Sequence, residues 1–428
     1  MLNSYKKAYK IRTMGSVDKM KRKWRWVLLC LAVIYTLAGC AGKEEVQVKR
    51  KAVLTYMAPS YGFHSFVGKE TVDKINETYS DIEIQPVVYS EEQYYTVLKT
   101  RLATGKGPDL FFVQPRYAGP NGVSSLAEAG YLAPVSDMET IKNADESKCA
   151  LLRHGDEVYS VSIGKMGLGV LYNKTIFEEN GLSVPVCWEE FLACCETLKK
   201  NGIQPMTLGG KDRNTYQYGL YQIAANQIYP EEPHFDRELR EGTRKFTDKG
   251  TWDRVLTMYT GLYWDGYMDP DSMNLTSGEA RQKMAERGAA MLFVSTGEAR
   301  GLVTEGAENG DQFGLMPLPA NERGEKTYWS IGEIGGVGMY AGSAYPQACR
   351  EVLEKEFWSE LLNPEETEDP YLEDVKKAFD AGDYFYLCNQ GWKNEVEIVM
   401  EKKLAEYITG NRIEIRDITR AMQRELER

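Results

Sequence analysis

The chain has 428 residues, 43% hydrophobic and 27% charged, which suits two well-buried lobes and excludes a disordered, collagenous or disulfide-stapled protein. Its formal charge of −11 hides an asymmetry: residues 1–39 carry nine Lys or Arg and one acid, so the rest holds 43 basic against 62 acidic side chains, a net of −19. A body this acidic, with no basic stripe interleaved with aromatics, is a poor partner for phosphates, and nucleic acid is not expected to bind.

The start reads as an export signal over residues 1–39. Lys19, Lys21, Arg22, Lys23 and Arg25 precede an apolar run from Val27 to Leu37 and then small residues. Such a run is too short to span a bilayer, which takes about 20 residues, and the competing readings are a short anchor or a buried helix. Leu37, Ala38, Gly39 and Cys40 resemble the lipobox of bacterial lipoproteins, in which the Cys thiol takes a diacylglyceryl group and becomes the mature N-terminus. Two acyl chains at about 0.8 kcal/mol per buried methylene suffice for stable anchoring. Residues 40–51, charged and aperiodic, are then a lipidated tether, and Met20 is an alternative initiator. The remaining cysteines, Cys149, Cys187, Cys194, Cys195, Cys349 and Cys388, match neither a C-x-x-C pair nor a zinc site. Cys195 falls on an apolar helix stripe and is expected to be a buried thiol.

Ala52 to Met57 is a short apolar strand, and Phe66, Val72, Ile75 and Tyr79 fall near helical spacing. Ile82 to Tyr89 alternates as a strand, with Pro86 pointing to an edge position. Ser90 and Gln93 form a capping box ahead of the stripe Tyr94, Val97, Leu98 and Leu102, which ends at Gly105. Asp109 to Val113 is a continuous apolar strand of the kind buried in parallel sheets. This β-α-β-α-β order makes the first lobe α/β. A second unit begins with the strand Gly167 to Tyr172 and the helical segment Thr175 to Asn180. Trp188, Phe191, Leu192, Cys195 and Leu198 then mark a helix closed by Lys199, Lys200 and Gly202. Ala280 to Arg287 reads as a helix and Ala289 to Val294 as a buried strand. Phe313 to Pro319 reads as a crossing segment, Ile331 to Tyr340 as a Gly-rich strand, and Pro346 as the start of a helix burying Val352, Leu353 and Phe357. Two helical patterns broken at Gly410 complete the tail.

No motif for bond chemistry stands out. The three histidines, His64, His154 and His234, lack partners at metal-ligand spacing, and H-E-x-x-H, G-x-S-x-G and the P-loop are absent. No cofactor is implied. Asp269 and Asp271 begin like a calcium loop, but Met273 takes a ligand position, so a solvated turn is expected. A glycosidase carboxylate pair need not be close in sequence and is not excluded. Tyrosine supplies 27 residues, many in polar stretches: Tyr216 and Tyr218, Tyr263 and Trp264, Tyr328 and Trp329, and Trp392 in "NQGWKN". Flat rings beside Asp, Asn, Gln and Arg suit the C–H faces and hydroxyls of a sugar. For any single ring, core packing competes with ligand contact. Tyr263 and Trp264, near the stripe Val255, Met258 and Tyr259, are expected in a core.

The segment "GVLYNKTIFEENGLSVPVCWEEFLACCETLKKNGIQPMTLGGKD", Gly169 to Asp212, resembles the diagnostic stretch of family 1 extracellular solute-binding proteins, the maltose-binding-like receptors of ABC importers. "GPDLFFV" at 107–113, "ERGAAMLFVST" at 286–296, "FGLMPLP" at 313–319 and "IGGVGMYAGS" at 334–343 follow in matching order. The resemblance implies an α/β, two-lobed periplasmic-binding-protein-like fold with a hinge and a ligand cleft between the lobes. Lobe one would combine 46–162 with 316–360, and lobe two 163–315 with 361–428. The crossings would fall near Tyr159 to Lys165, Phe313 to Pro317 and Leu361 to Thr367. Carried over by position, the ligand residues would be Ser60, Tyr61, Gln114, Arg116, Tyr216, Tyr218, Thr296, Glu298, Trp329, Glu333 and Trp392. Gly297 and Glu298 stand where many members carry a Trp. The implied protein is a lipid-anchored monomer without enzymatic activity. It captures a carbohydrate, an oligosaccharide by preference, outside the cell and hands it to ABC permease subunits. An exported carbohydrate-active enzyme and a sugar receptor feeding a sensor kinase are the alternative readings.

Overall fold

A computed structural model describes residues 51–60, 68–115, 122–143, 149–355, 373–388, 392–410 and 412–428. The expected signal, most of the tether with Cys40, and the third crossing lie outside these residues, as do Phe66, Phe357, Tyr61 and Arg116.

In lobe one, β1 (Ala52–Pro59), α1 (Lys69–Thr78), β2 (Ile82–Tyr89), α2 (Glu91–Ala103) and β3 (Leu110–Val113) form the expected β-α-β-α-β unit. β1 pairs in parallel with both β2 and β3, and β2 is the sheet edge, so Pro86 sits on an edge strand. Helix α2 starts after Ser90, but Ser90 makes no side-chain cap bond, so the expected capping box does not form. The helix is held instead by its buried face, where the Tyr94 hydroxyl donates to the Phe112 carbonyl at 2.6 Å. A short helix α3 (Val123–Glu128) and β4 (Ser160–Ser162) follow.

The chain then passes into the second sheet through β5 (Lys165–Asn173), α4 (Lys174–Glu179), α5 (Trp188–Lys200), β6 (Met206–Thr207), α6 (Tyr216–Gln227), α7 (Phe235–Glu241) and α8 (Trp252–Trp264). Next come α9 (Ser277–Ala285), β7 (Met291–Ser295), α10 (Thr296–Glu305), β8 (Phe313–Met316) and β9 (Trp329–Glu333). β10 (Gly336–Met339) and α11 (Pro346–Glu354) return to lobe one, where β10 lies antiparallel between β3 and β4. α12 (Glu373–Ala381), β11 (Tyr384–Tyr386), α13 (Asn394–Ile408) and α14 (Ile415–Glu427) complete lobe two. The first sheet runs β2-β1-β3-β10-β4 and the second β11-β9-β5-β7-β6, with β8 also paired to β5.

This topology corrects the expected boundary at residue 316. β8 pairs with β5, β9 pairs with β5 and β11, and Leu318 and Ala320 are buried in the lobe-two core. The chain therefore stays in lobe two through Glu333, and the second crossing is at Ile334–Gly335. The expected Gly-rich strand is in fact two strands in two sheets. The chain first passes from one sheet to the other at Ile163–Gly164.

Each sheet has its own core. Leu54, Tyr56, Phe111, Phe112, Val337 and Leu353 centre the first, and Phe191, Tyr221, Trp252, Tyr259, Phe293 and Trp392 the second. All six described cysteines are buried free thiols. Asp269 is not solvated: it is 2% exposed, and its Oδ2 accepts from Thr207 and pairs with Lys283 at 2.6 Å. Burial of that carboxylate is compensated by these partners. Trp264 also departs from expectation, being 54% exposed with its ring edge against Tyr407.

Helix α6 was not expected, because its polar and aromatic sequence shows no single apolar face. It is buried almost all round and lies across β5, β7 and β9. Gly219 permits that approach, since a Cβ there would stand 2.6 Å from Tyr259 and 2.7 Å from Phe293. Gly219→Ala would gain helix propensity of about 1 kcal/mol but overpack the core at about 1–3 kcal/mol. We expect it to lower the urea midpoint, whereas Gly278→Ala, with open space at its Cβ, should leave it level or raise it.

Candidate functional site

The two crossings bond each other. Ile163 N–H donates to the Gly335 carbonyl at 3.1 Å and Ile334 N–H to the Gly164 carbonyl at 3.0 Å. Gly164 and Gly335 have φ of +126° and +151°, a region that favours glycine. The ends of β1, β3, β7 and β9 also carry several of the residues expected to contact ligand.

On lobe one, Ser60 follows β1 and is half-buried, and Gln114 follows β3. The Gln114 Nε2 donates to the Tyr95 hydroxyl at 2.6 Å, and its carbonyl accepts from Val123 N–H at 3.0 Å. Its amide is thus fixed rather than free to swing.

On lobe two, three expected residues meet where β7 turns into α10. Ser295 and Glu298 form a capping box, which satisfies helix donors that would otherwise lack partners. Glu298 Oε1 also accepts from Ser277 Oγ, and from Arg281 at 3.0 Å. The Tyr218 hydroxyl is buried beside Glu298 and Ser295, and burial, reinforced by the Glu298 charge, raises its pKa far above the ordinary value. Thr296 Oγ1 accepts from Gly167 N–H at 3.3 Å. Glu298 is therefore the acceptor in a polar knot of Tyr218, Ser277, Arg281 and Ser295, with its side chain 24% exposed.

Gly167 joins this knot to a second group. A Cβ there would approach Thr296, Val375 and Trp329 at 3.1–3.4 Å. Trp329 is 4% exposed and packs with Ile331 and Ala378. At the end of the same strand Glu333 is buried. Its carboxylate accepts from Ser162 Oγ, and from Lys165 at 2.8 Å. Lys165 Nζ lies 5.5 Å from the Phe379 ring centre and 5.6 Å from that of Tyr386. Phe379 stacks on Tyr384, which meets Tyr386 edge-on. All three rings are half-buried. Lys165, Phe379 and Tyr386 were not anticipated. Only the fold brings α12 and β11 over Lys165.

Two expected residues take core positions. Tyr216 is 1% exposed, its hydroxyl donating to the Gly210 carbonyl at 2.8 Å, and burial pushes its pKa up to about 12. Trp392 is also 1% exposed, and packs edge-to-face with Phe246 and Trp252 at 5.0 Å and Tyr221 at 6.0 Å. Its Nε1 donates to Asp236 Oδ1 at 3.1 Å. No ring face remains for a ligand in this arrangement, so the aromatic signal at Trp392 belongs to the core. Among the described residues no group of three or more His, Cys, Asp or Glu is placed to hold a metal.

Two half-buried acids of lobe two contribute to its pH response. Burial raises Asp236 to about 6 despite bonds from Tyr229 and Trp392. Glu401, one helical turn from Glu397, is raised to about 7 by burial and then by the Glu397 charge. Both values exceed the unfolded ones, so the folded chain holds protons that the unfolded chain releases. This stabilisation is complete below about pH 4 and is lost as pH rises through 6 and 7. Urea midpoints measured from pH 5 to 8 should therefore fall less steeply for Glu401→Gln than for the parent. Trp392→Ala should cost about 3–5 kcal/mol of stability, as for a large core ring, which chemical denaturation would read directly.

The comparisons with known proteins agree with this architecture. Residues 56–367 match the family of bacterial extracellular solute-binding proteins. The melibiose/raffinose/stachyose-binding protein MelE of Bacillus subtilis is 22% identical over 317 residues, 73% of this chain and 71% of MelE. A sugar transporter structure from Bacillus licheniformis, solved with stachyose, superposes with a TM-score of 0.69 at 17% identity, covering 88% of this chain and 99% of that one. A structure from a study of xylan utilization by Caldanaerobius polysaccharolyticus gives a TM-score of 0.72 at 16% identity, covering 87% and 100%. At these identities the structures speak to the fold. The chain belongs to the bacterial extracellular solute-binding protein family.

Proposed function

We propose that this protein captures an oligosaccharide between its two lobes and presents it, chemically unchanged, to the permease of an ABC importer. The observation that carries the reading is the family match over residues 56–367, together with the similarity to MelE, named for binding melibiose, raffinose and stachyose. The stachyose complex of a protein of the same fold points the same way.

The ligand set we propose takes Ser60, Tyr61, Gln114 and Arg116 from lobe one and Tyr218, Thr296 and Glu298 from lobe two. Tyr386 and Phe379 are added as rings for sugar C–H faces, in the role first assigned to Trp392. Half-buried rings beside a cation fit this use, because a ring offers its face to C–H groups while charged neighbours bond hydroxyls. Tyr216, Trp329 and Trp392 support the site from within. Glu298, already accepting several hydrogen bonds, has a fixed orientation toward any hydroxyl that reaches it. We further propose that Cys40 carries the lipid, holding a monomeric receptor at the outer face of the cytoplasmic membrane.

A thermal-shift screen of the full chain in mild detergent against raffinose, stachyose, melibiose and xylo-oligosaccharides tests the reading. A ligand at a hundredfold excess over its Kd adds about 2.7 kcal/mol to folded-state stability, which such a screen detects. One sugar should raise the melting temperature and be recovered intact. Breakdown of that sugar would make the protein an enzyme, and silence across the panel would point to another solute. Tyr386→Ala should weaken binding about tenfold or more with little change in the ligand-free melting temperature. Cys40→Ser should release the protein from membranes.

A further inference from the structure

Glu333 is an unusual group to find where the lobes meet. Its side chain has no exposure, and a buried carboxylate is costly unless it is paired and hydrogen-bonded. Its two described partners lie on opposite sides of one crossing. Ser162 is the last residue of β4 in the lobe-one sheet, and Lys165 is the first of β5 in the lobe-two sheet. Between them stands Gly164, with φ +126°. The Ser162 Oγ donates to Glu333 while accepting from Gly164 N–H at 3.1 Å. Lys165 faces Glu333 directly in the register of β5 against β9 and donates to its other oxygen at 2.8 Å. One carboxylate thus holds the residue two before the glycine, the residue after it and, through Ser162, the glycine's own amide.

We propose that Glu333 is a positioning residue, a clasp that fixes the torsions of the Ile163–Gly164 crossing and thereby sets the equilibrium between lobe orientations on which ligand capture depends. It reassigns Glu333 from the ligand set, and it rests on the two-lobed binding reading for its functional consequence. Among the described crossing residues, Gly164 and Gly335, both at positive φ, are the positions where torsions change most freely as one lobe turns against the other. Gly335 is buried against lobe one, where a Cβ would stand 2.6 Å from the Phe112 ring and 2.9 Å from the Val113 carbonyl, whereas Gly164 is half-buried. Rotation at Gly164 moves Ser162 relative to Lys165, and Glu333 cannot follow both. Loss of the Ser162 arm removes a hydrogen bond to a charged group, which is expected to shift the orientation equilibrium roughly tenfold. Lys165 sits against Tyr386 and Phe379, so the clasp also ties lobe orientation to the rings proposed to meet the sugar.

The test uses the full chain in detergent, labelled with a fluorophore pair at Lys99→Cys on α2 and Lys402→Cys on α13, both exposed positions. Single-molecule energy transfer without ligand reads the interlobe distance distribution. Ser162→Ala and Glu333→Gln should each shift or broaden it, and Ser162→Thr, which keeps the hydroxyl, should restore it. The melting temperature should change little for Ser162→Ala, so that a general loss of structure is separable from a change of orientation. Distributions identical to the parent in both variants would overturn the clasp. If Glu333→Gln does not fold, Ser162→Ala decides alone. Because the readout needs no ligand, a shifted distribution in a chain that binds no sugar would uphold the clasp while removing the sugar reading.

Discussion

The structure depends on the manner in which the chain leaves one sheet for the other. Each lobe is a sheet with its own apolar core, and the strand pairs β4–β5 and β9–β10 carry the backbone across. A backbone passing between two cores still has to satisfy its amides and carbonyls. Here the two crossings satisfy each other, through Ile163 to Gly335 and Ile334 to Gly164. Such a two-stranded joint resists sliding yet leaves bending available, and left-handed glycines on both strands supply the torsional freedom. Everything that follows in either lobe is positioned by this short ladder.

The strand ends nearest the joint carry the polar chemistry of lobe two. Glu298 is held by a helix cap, by Ser277 and by Arg281, and Glu333 by Ser162 and Lys165. Both acids are ordered before any ligand arrives. The half-buried rings of Phe379 and Tyr386 stand beside Lys165, and Tyr384 packs against both. In the sugar-binding reading proposed above, the acceptor knot and the ring cluster with its cation would serve different faces of the sugar.

Most of the aromatic content, by contrast, builds lobe two itself. Tyr216, Tyr221, Trp252, Tyr259 and Trp392 are fully buried, and Tyr221, Trp252 and Trp392 meet edge-to-face. Two of their polar atoms donate to acids: Tyr221 to Glu397 at 2.6 Å, and Trp392 to Asp236. Acids enter the core as acceptors for these donors, and the rise of Asp236 to about 6 follows from its burial there. Polar stretches rich in tyrosine therefore do not by themselves distinguish a ligand cleft from a core that uses hydroxyls as fasteners.

The sequence alone determined the elements whose cause is local. The alternation of Ile82 to Tyr89, the stripe from Trp188 to Leu198 closed at Gly202, and the break at Gly410 all became the expected strand, helix and turn. Order and spacing of the family motifs likewise carried the two-lobed α/β fold. Tertiary structure decided what depends on neighbours distant in sequence. Helix α6 has no apolar stripe because it is enclosed on all sides, so periodicity has nothing to report. Whether a Trp faces ligand or core depends on which elements close over it, and Trp392 went inside while Trp264 stayed out. The lobe boundary moved from 316 to Ile334 because strand pairing, not hydropathy, assigns β8 and β9 to the second sheet. Ser162, Lys165 and Glu333 came together only when β4, β5 and β9 met at the crossing, a contact across 171 positions of sequence that no local pattern encodes.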